Sequence, residues 1–343
     1  MLSENRYKKF TASNNLDAEK LLAMVLDEMC QALAGSEISV YLGGSYGRGE
    51  GGVRSDSANG LLYNDLDFFV FARQKSDKYN KLLQEISEKY EHLLKVDIDF
   101  SRVITVKEIK QNSKRLMMQE LKRGHVLVYG EDLLAEFLPE LSAEKLPFSE
   151  AARLLLNRGI GLLWANEKIS CEIEQVDFIL RNINKAILGA GDALLISKGD
   201  YRWQIQERCE AIMTSDLADE WKELYRRACE FKSSPSREIA GDITQLWQSA
   251  KKFYLEMFLK VVDSANGDDL AKKIYKKCKK SGELSLLNYI KYVVKSFSIP
   301  IEIGFFSMPH AAVLIPQVFA ELANGEGRLD LEGDLYKKWL KFN

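Results

Sequence analysis

The sequence predicts an α+β protein, with a mixed-sheet domain over residues 1–147 followed by an all-α helical bundle domain over residues 148–343. Three observations predict it. Short runs of period-two alternation intersperse with helical patterns in the first part. Two of those strand-like runs carry aspartates on one face. From Phe148 onward apolar residues recur almost throughout at helical spacing.

The elements follow in order. Leu16 to Leu33 carries Leu21, Leu22, Met24, Val25 and Met29 at helical spacing, and Gly35 ends it as a C-terminal glycine. Ile38, Val40 and Leu42 alternate as a strand, broken by Gly43 and Gly44. The Gly-, Ser- and Asn-rich segment from Ser45 to Asn64 should begin as a short helix and continue as a loop. Asp65 to Phe71 (DLDFFVF) predicts a strand, Ser76 to Leu94 a helix, and Val96 to Phe100 (VDIDF) a second acidic strand. A helix over Lys114 to Arg123 precedes the segment HVLVYGEDLL, near which the domain should close.

Beyond Phe148 the spacing predicts helices over Glu150–Asn166, Ile173–Ser197, Trp203–Met213, Ala218–Phe231, Arg237–Val262 and Asp269–Lys279. Long helices with short connections imply a bundle. An extra C-terminal unit after about residue 283 is left open. The lysine-rich run AKKIYKKCKKSGE reads as a solvated amphipathic helix. Asp192 sits in an otherwise apolar stretch and reads as a buried acid that ties helices together, with Arg158 as its expected partner.

Bulk composition narrows the function classes. A chain of 343 residues exceeds one ordinary core. Net charge is only −2, so binding nucleic acid through a global basic field is not favoured. The polar region after Met1 predicts no signal peptide, and no apolar run reaches the roughly 18 residues a membrane span needs. The apolar stretch Ile299–Phe306 is short and interrupted by Glu302. The five cysteines form no C-x-x-C pair, which predicts reduced, mostly buried thiols in a cytoplasmic protein. His92, His125 and His310 are too isolated for a histidine-based zinc site.

The chemistry concentrates in four aspartates. Asp65 and Asp67 lie on one predicted strand, Asp97 and Asp99 on another, and alternate residues of a strand point to one face. If the strands are neighbours, three or four carboxylates converge. Such a cluster repels itself unless a cation sits among the acids. Oxygen-only ligands select a hard ion, Mg²⁺ or Mn²⁺, and suit phosphoryl or nucleotidyl transfer.

Upstream, Gly43, Gly44 and Ser45 follow a strand and open a short helix, a place where backbone N–H groups can approach phosphate. Ser45 adds a hydroxyl. Arg48, one turn on, is placed to reach the same phosphates or to brace the acids. There is no G-K-[ST], so this is no Walker A loop. Gly47, Gly49 and Gly52 spell G-x-G-x-x-G, but polar residues follow where a dinucleotide fold wants an apolar helix.

The stretch LGGSYGRGEGG, then NDLDFFVF, then VDIDF, resembles the nucleotidyltransferase fold superfamily that includes DNA polymerase β. The resemblance covers roughly residues 38 to 101. It implies that Gly44 and Ser45 bind the β,γ-phosphates of a nucleoside triphosphate and that Asp65 and Asp67 ligate the metals. Both Asp97 and Asp99 fit the third acid, and likeness to the poly(A) polymerase-like branch favours Asp99. The gap from Ser45 to Asp65 exceeds the family's usual spacing, so residues from about Gly51 to Tyr63 should form a loop at the mouth of the site. The segment RNINKAILGAGDALLISKGDY, Arg181 to Tyr201, resembles the bundle that follows this domain in aminoglycoside nucleotidyltransferases. In that setting Lys185 would point at the triphosphate.

These readings imply metal-dependent transfer of a nucleoside monophosphate to a hydroxyl, on a small molecule or a protein. The alternative is an antitoxin-like or regulatory module with the same fold, acting on or binding a protein partner. Against a nuclease-type helical partner, no arginine precedes any of the three histidines at the R-x(4–6)-H spacing. An RNA-tailing enzyme would want a basic, aromatic-lined track, which the sequence lacks.

Overall fold

A computed structural model of the chain describes residues 9–54, 62–169, 175–236, 241–296, 307–323, 330 and 333–342. The expected helix start at Ile173, the apolar stretch Ile299–Phe306, Cys171 and the middle of the loop before Asp65 fall outside them. The chain divides into two compact units. The first comprises Met1–Ser142, Trp203–Ile205 and Glu230–Glu238; the second comprises Ala143–Arg202, Gln206–Cys229 and Ile239–Asn343.

The first unit is an α/β layer structure. Helix α1 (Leu16–Ala32) starts where the Asn15 side chain accepts the Ala18 N–H, and it buries Leu22, Val25, Leu26 and Met29. β1 (Ser39–Leu42) leads into the short helix α2 (Gly44–Gly47), and β2 spans Leu66–Ala72. α3 (Asn80–Leu94) buries Leu83, Ile86, Tyr90 and Leu94 and precedes β3 (Ile98–Phe100). β4 (Ile104–Thr105), α4 (Val106–Gln111), α5 (Leu116–Arg123), β5 (Val126–Tyr129) and α6 (Leu133–Phe137) complete it. β4, α4 and α6 were not anticipated: each is too short for periodicity to register.

The sheet runs β3-β2-β1-β5, with β4 also on β2. β1 is antiparallel to both β2 and β5, whereas β3 and β4 are parallel to β2 and share its outer side. One face carries Val40, Leu42, Leu66, Phe68, Val70 and Ile98 against α1 and α3. The other carries Tyr41, Phe69, Phe71, Ile104 and Leu127 against α4, α5 and α6. Along β2 the second face is buried at Phe71, half-buried at Phe69 and exposed at Asp67. The acids therefore occupy the uncovered end of the sheet, where carboxylates keep their hydration.

The second unit is helical. It contains α7 (Phe148–Ile169), α8 (Val176–Lys198), most of α9 (Ile205–Met213) and α10 (Asp219–Ser233), α11 (Ile243–Val262), α12 (Leu270–Lys280), α13 (Leu286–Ser296), α14 (His310–Ala323) and α15 (Asp334–Phe342). α7 and α8 pack along their lengths, and α11 lies against both. Close approach depends on glycines: a Cβ at Gly159 would strike Val318 and Tyr254, and one at Gly191 would strike Tyr225. The Trp247 indole N–H donates to the Leu162 carbonyl at 2.8 Å. Asp192 is buried, paired with Arg208 at 3.2 Å and accepting the Tyr225 hydroxyl at 2.6 Å. Arg158, its expected partner, lays its methylenes against Gly189, one turn earlier on α8. Residues after 283 belong to this unit. On α12 the buried residues are Ile274 and Cys278, while Lys272, Lys276, Lys279 and Lys280 are exposed, as a solvated amphipathic helix requires. Among the described residues, no helix is long and apolar enough to cross a membrane.

Candidate active site

Asp67 and Asp99 face each other across adjacent parallel strands. They are register partners, flanked by Leu66↔Ile98 and Phe68↔Phe100. Asp65 and Asp97 each lie two residues earlier, and the Leu66 N–H donates to the Asp97 carbonyl at 2.9 Å. With period-two alternation all four acids belong to one face. Partial burial, with the neighbouring charges of Asp65, Asp97 and Glu91, pushes the Asp99 carboxyl above its ordinary value. The Asp97 and Asp99 carboxylates have no hydrogen-bond or ion-pair partner among the described residues.

The turn after β1 meets this cluster directly. The Gly43 N–H donates to the Asp67 carbonyl at 2.8 Å. Gly44 has φ +59°, and a Cβ there would collide with the Asp67 carboxylate. Glycine is required on both counts. The Ser45 hydroxyl is partly exposed and has no partner among the described residues.

The Arg48 Nε lies 3.3 Å from Glu50 and its Nη1 3.7 Å from Glu120. Glu50 is 3 % exposed; it also accepts the Ile205 N–H at 2.7 Å and pairs with Lys232 at 3.3 Å. Lys185 is an exposed residue of α8, in the second unit.

Two groups that the sequence reading passed over shape the site. The buried Tyr46 hydroxyl donates to the Gly52 carbonyl at 2.8 Å and accepts the N–H groups of Tyr63 at 3.0 Å and Asn64 at 3.4 Å. With the Gly52 N–H on the Asn64 side-chain carbonyl at 3.0 Å and the Val53↔Leu62 bridge, this closes the neck of the long loop before Asp65. A tyrosine inside a glycine-rich turn was the available signal. The second group is Ser87 and Glu91 on α3, whose four-residue spacing looks like any solvated helix face.

Clustered carboxylates, a serine hydroxyl and a glycine turn are the kinds of donors a hard divalent cation and its phosphates take. Among the described residues no group of three His, Cys, Asp or Glu side chains is arranged to hold a metal by itself. Mg²⁺ is usually bound through one or two carboxylates, with water and substrate phosphates completing its shell. Asp65, Asp67, Asp97 and Asp99 are the residues that could hold it.

A mixed sheet with this strand order, an acidic pair beside a Gly-Ser turn and a following helical unit define a nucleotidyltransferase-type architecture. Residues 6–97 match the model of the family described as "Putative nucleotidyltransferase DUF294". The match supports the nucleotidyltransferase fold and, in general terms, nucleotidyl transfer as its chemistry. Comparison with curated proteins and with solved structures returns no match.

Proposed function

We propose that the first unit transfers a nucleoside monophosphate from a nucleoside triphosphate to a hydroxyl acceptor, with Mg²⁺ or Mn²⁺ as cofactor. The observation that carries this reading is the parallel register of Asp67 and Asp99 beside the Gly43–Gly44 turn. Asp65 and Asp67 would hold the cation, with Asp97 or Asp99 as the third carboxylate. When bound, the cation neutralises the triphosphate and acidifies the acceptor hydroxyl. The Gly44 backbone and the Ser45 hydroxyl would hold the β,γ-phosphates. The acceptor oxygen bonds to the α-phosphorus while the bond from that phosphorus to the bridging oxygen breaks, and pyrophosphate leaves. The hydroxyl proton passes to Asp99 or Asp97. Arg48 would steady the turn that carries Ser45.

The acceptor would be a small molecule or a protein side chain. Nucleic acid is disfavoured by the net charge of −2. The test is incubation with each radiolabelled nucleoside triphosphate, Mg²⁺ and a panel of acceptors, including the protein alone to detect self-modification. Pyrophosphate release that depends on Mg²⁺ and on Asp67 supports the reading. Absence of metal-dependent nucleotide binding, or transfer that survives Asp67→Asn, overturns it.

A further inference from the structure

β3 lies at the outer edge of the sheet and is three residues long. An edge strand this short has little of its own to hold it in register. On its inner side, Asp97 is tied to β2 through the Leu66 N–H. The outward backbone groups of Ile98, the residue between Asp97 and Asp99, face no strand. Both are nevertheless taken, each by a side chain of α3. The Ile98 N–H donates to Glu91 Oε1 at 3.1 Å, and the Ile98 carbonyl accepts the Ser87 hydroxyl at 2.7 Å. Ser87 Oγ also lies 3.0 Å from Glu91 Oε1, so its single proton is shared between that oxygen and the Ile98 carbonyl. Separated by four residues, they stack on one face of the helix. Glu91 and Ser87 thus replace a missing neighbouring strand at the one residue whose two flanking peptide units set where two of the acids point.

A carboxylate is a costly choice for that role. Glu91 adds a negative charge to the surroundings of Asp99, which already feels Asp65 and Asp97. An edge that needed only satisfied backbone groups would be served by water or an amide. The ion pairs of the described residues include none with Glu91.

We propose that Ser87 and Glu91 are positioning residues that lock the backbone of Ile98 and so hold Asp97 and Asp99 in register with Asp67. This rests on the reading of the acids given under Proposed function. The clamp acts through β3 and touches neither substrate nor cation.

The experiment uses the full chain and the variants Ser87→Ala, Glu91→Ala and Glu91→Gln, with Asp67→Asn as control. Three quantities are read: amide hydrogen exchange over residues 96–100, binding of Mn²⁺ with nucleoside triphosphate present, and steady-state transfer. In Ser87→Ala and Glu91→Ala, exchange at Ile98 should rise about tenfold or more. Half-saturating Mn²⁺ should rise, and kcat should fall by roughly ten- to a hundredfold, because small misplacements of reacting groups are that expensive. The nucleotide KM should stay within about twofold, since the Gly44–Ser45 turn is untouched. Glu91→Gln keeps an acceptor for the Ile98 N–H without the charge, and it should restore most of the loss. A purely structural role would lower melting temperature without this split between kcat and KM. If exchange rises while metal binding and kcat match the wild type, the clamp does not position the acids and the inference is overturned. If the wild type binds Mn²⁺ no better than Asp67→Asn, the reading of the acids fails, and the inference with it.

Discussion

A methyl group on Gly44 would occupy the place of the Asp67 carboxylate. The turn after β1 and the first acid of β2 therefore fit only because the turn has no side chain, and because Gly44 takes φ +59°. Backbone and carboxylate are brought together with nothing between them, which is the arrangement a bridging cation and phosphate need.

Gly44→Ala should accordingly fail twice. The left-handed backbone costs a non-glycine residue about 1–2 kcal/mol. The clash must also displace the turn or Asp67, and transfer should fall by roughly a hundredfold. Thermal melts beside a transfer assay check this; an alanine variant of near-normal activity would show that the turn and Asp67 do not act together.

Asp67→Asn and Asp192→Asn should behave in opposite ways. The first removes one charge from a crowd of four acids, so transfer should be abolished while the metal-free fold is unharmed or slightly more stable. The second leaves the Arg208 charge buried without its carboxylate, which should cost on the order of 3 kcal/mol. Activity in the Asp192→Asn protein that remains folded should fall only modestly. Melts with and without Mg²⁺ decide it. Equal destabilisation of the metal-free protein by both variants would make Asp67 a structural acid.

Tyr46→Phe should loosen the long loop at its neck. The Gly52 carbonyl and the Tyr63 N–H keep each other at 3.2 Å but lose the hydroxyl they share, for about 1 kcal/mol. Amide exchange at Tyr63 and Asn64 should quicken by at least about tenfold. Unchanged exchange at both positions would contradict the anchoring role.

Glu108 carries a pH dependence. Its hydrogen bond with Arg102, with help from the Thr105 backbone, lowers its pKa to about 2 from an ordinary 4.5. A depressed acid contributes stability that is full above 4.5 and is lost as pH falls through 2. The difference in melting temperature between wild type and Glu108→Gln should therefore be largest near neutrality and shrink between pH 5 and pH 2. Since Arg102 is largely exposed, the effect should also weaken in high salt. A difference that stays constant over that range would assign Glu108 no such role.

Much of this was legible in the residues. Strand alternation at Ile38, Val40 and Leu42 and the acidic runs at 65–71 and 96–100 located β1, β2 and β3, because a half-buried strand must alternate. The helices from α7 to α12 were read to within a few residues, except where their starts lie outside the described residues or, for α11, begin later at Ile243. The same logic failed for β4, α4 and α6, each of which spans fewer than two periods of its pattern. Burial of Asp192 was anticipated, and Arg208 and Tyr225, both distant in sequence, are among its partners.

Local chemistry was written in the chain order: which residues are acids, which are glycines, and on which face of a strand each lies. Those follow from side-chain type and backbone period, and neither needs distant contacts. Adjacency was not. That β3 runs parallel to β2 with Asp99 level with Asp67, that Glu50 is buried among Arg48, Lys232 and the Ile205 N–H, and that Ser87 and Glu91 hold Ile98 were decided by the fold. Each joins segments whose pairing depends on how the layers pack, and packing sums many weak contacts that no local window of sequence contains.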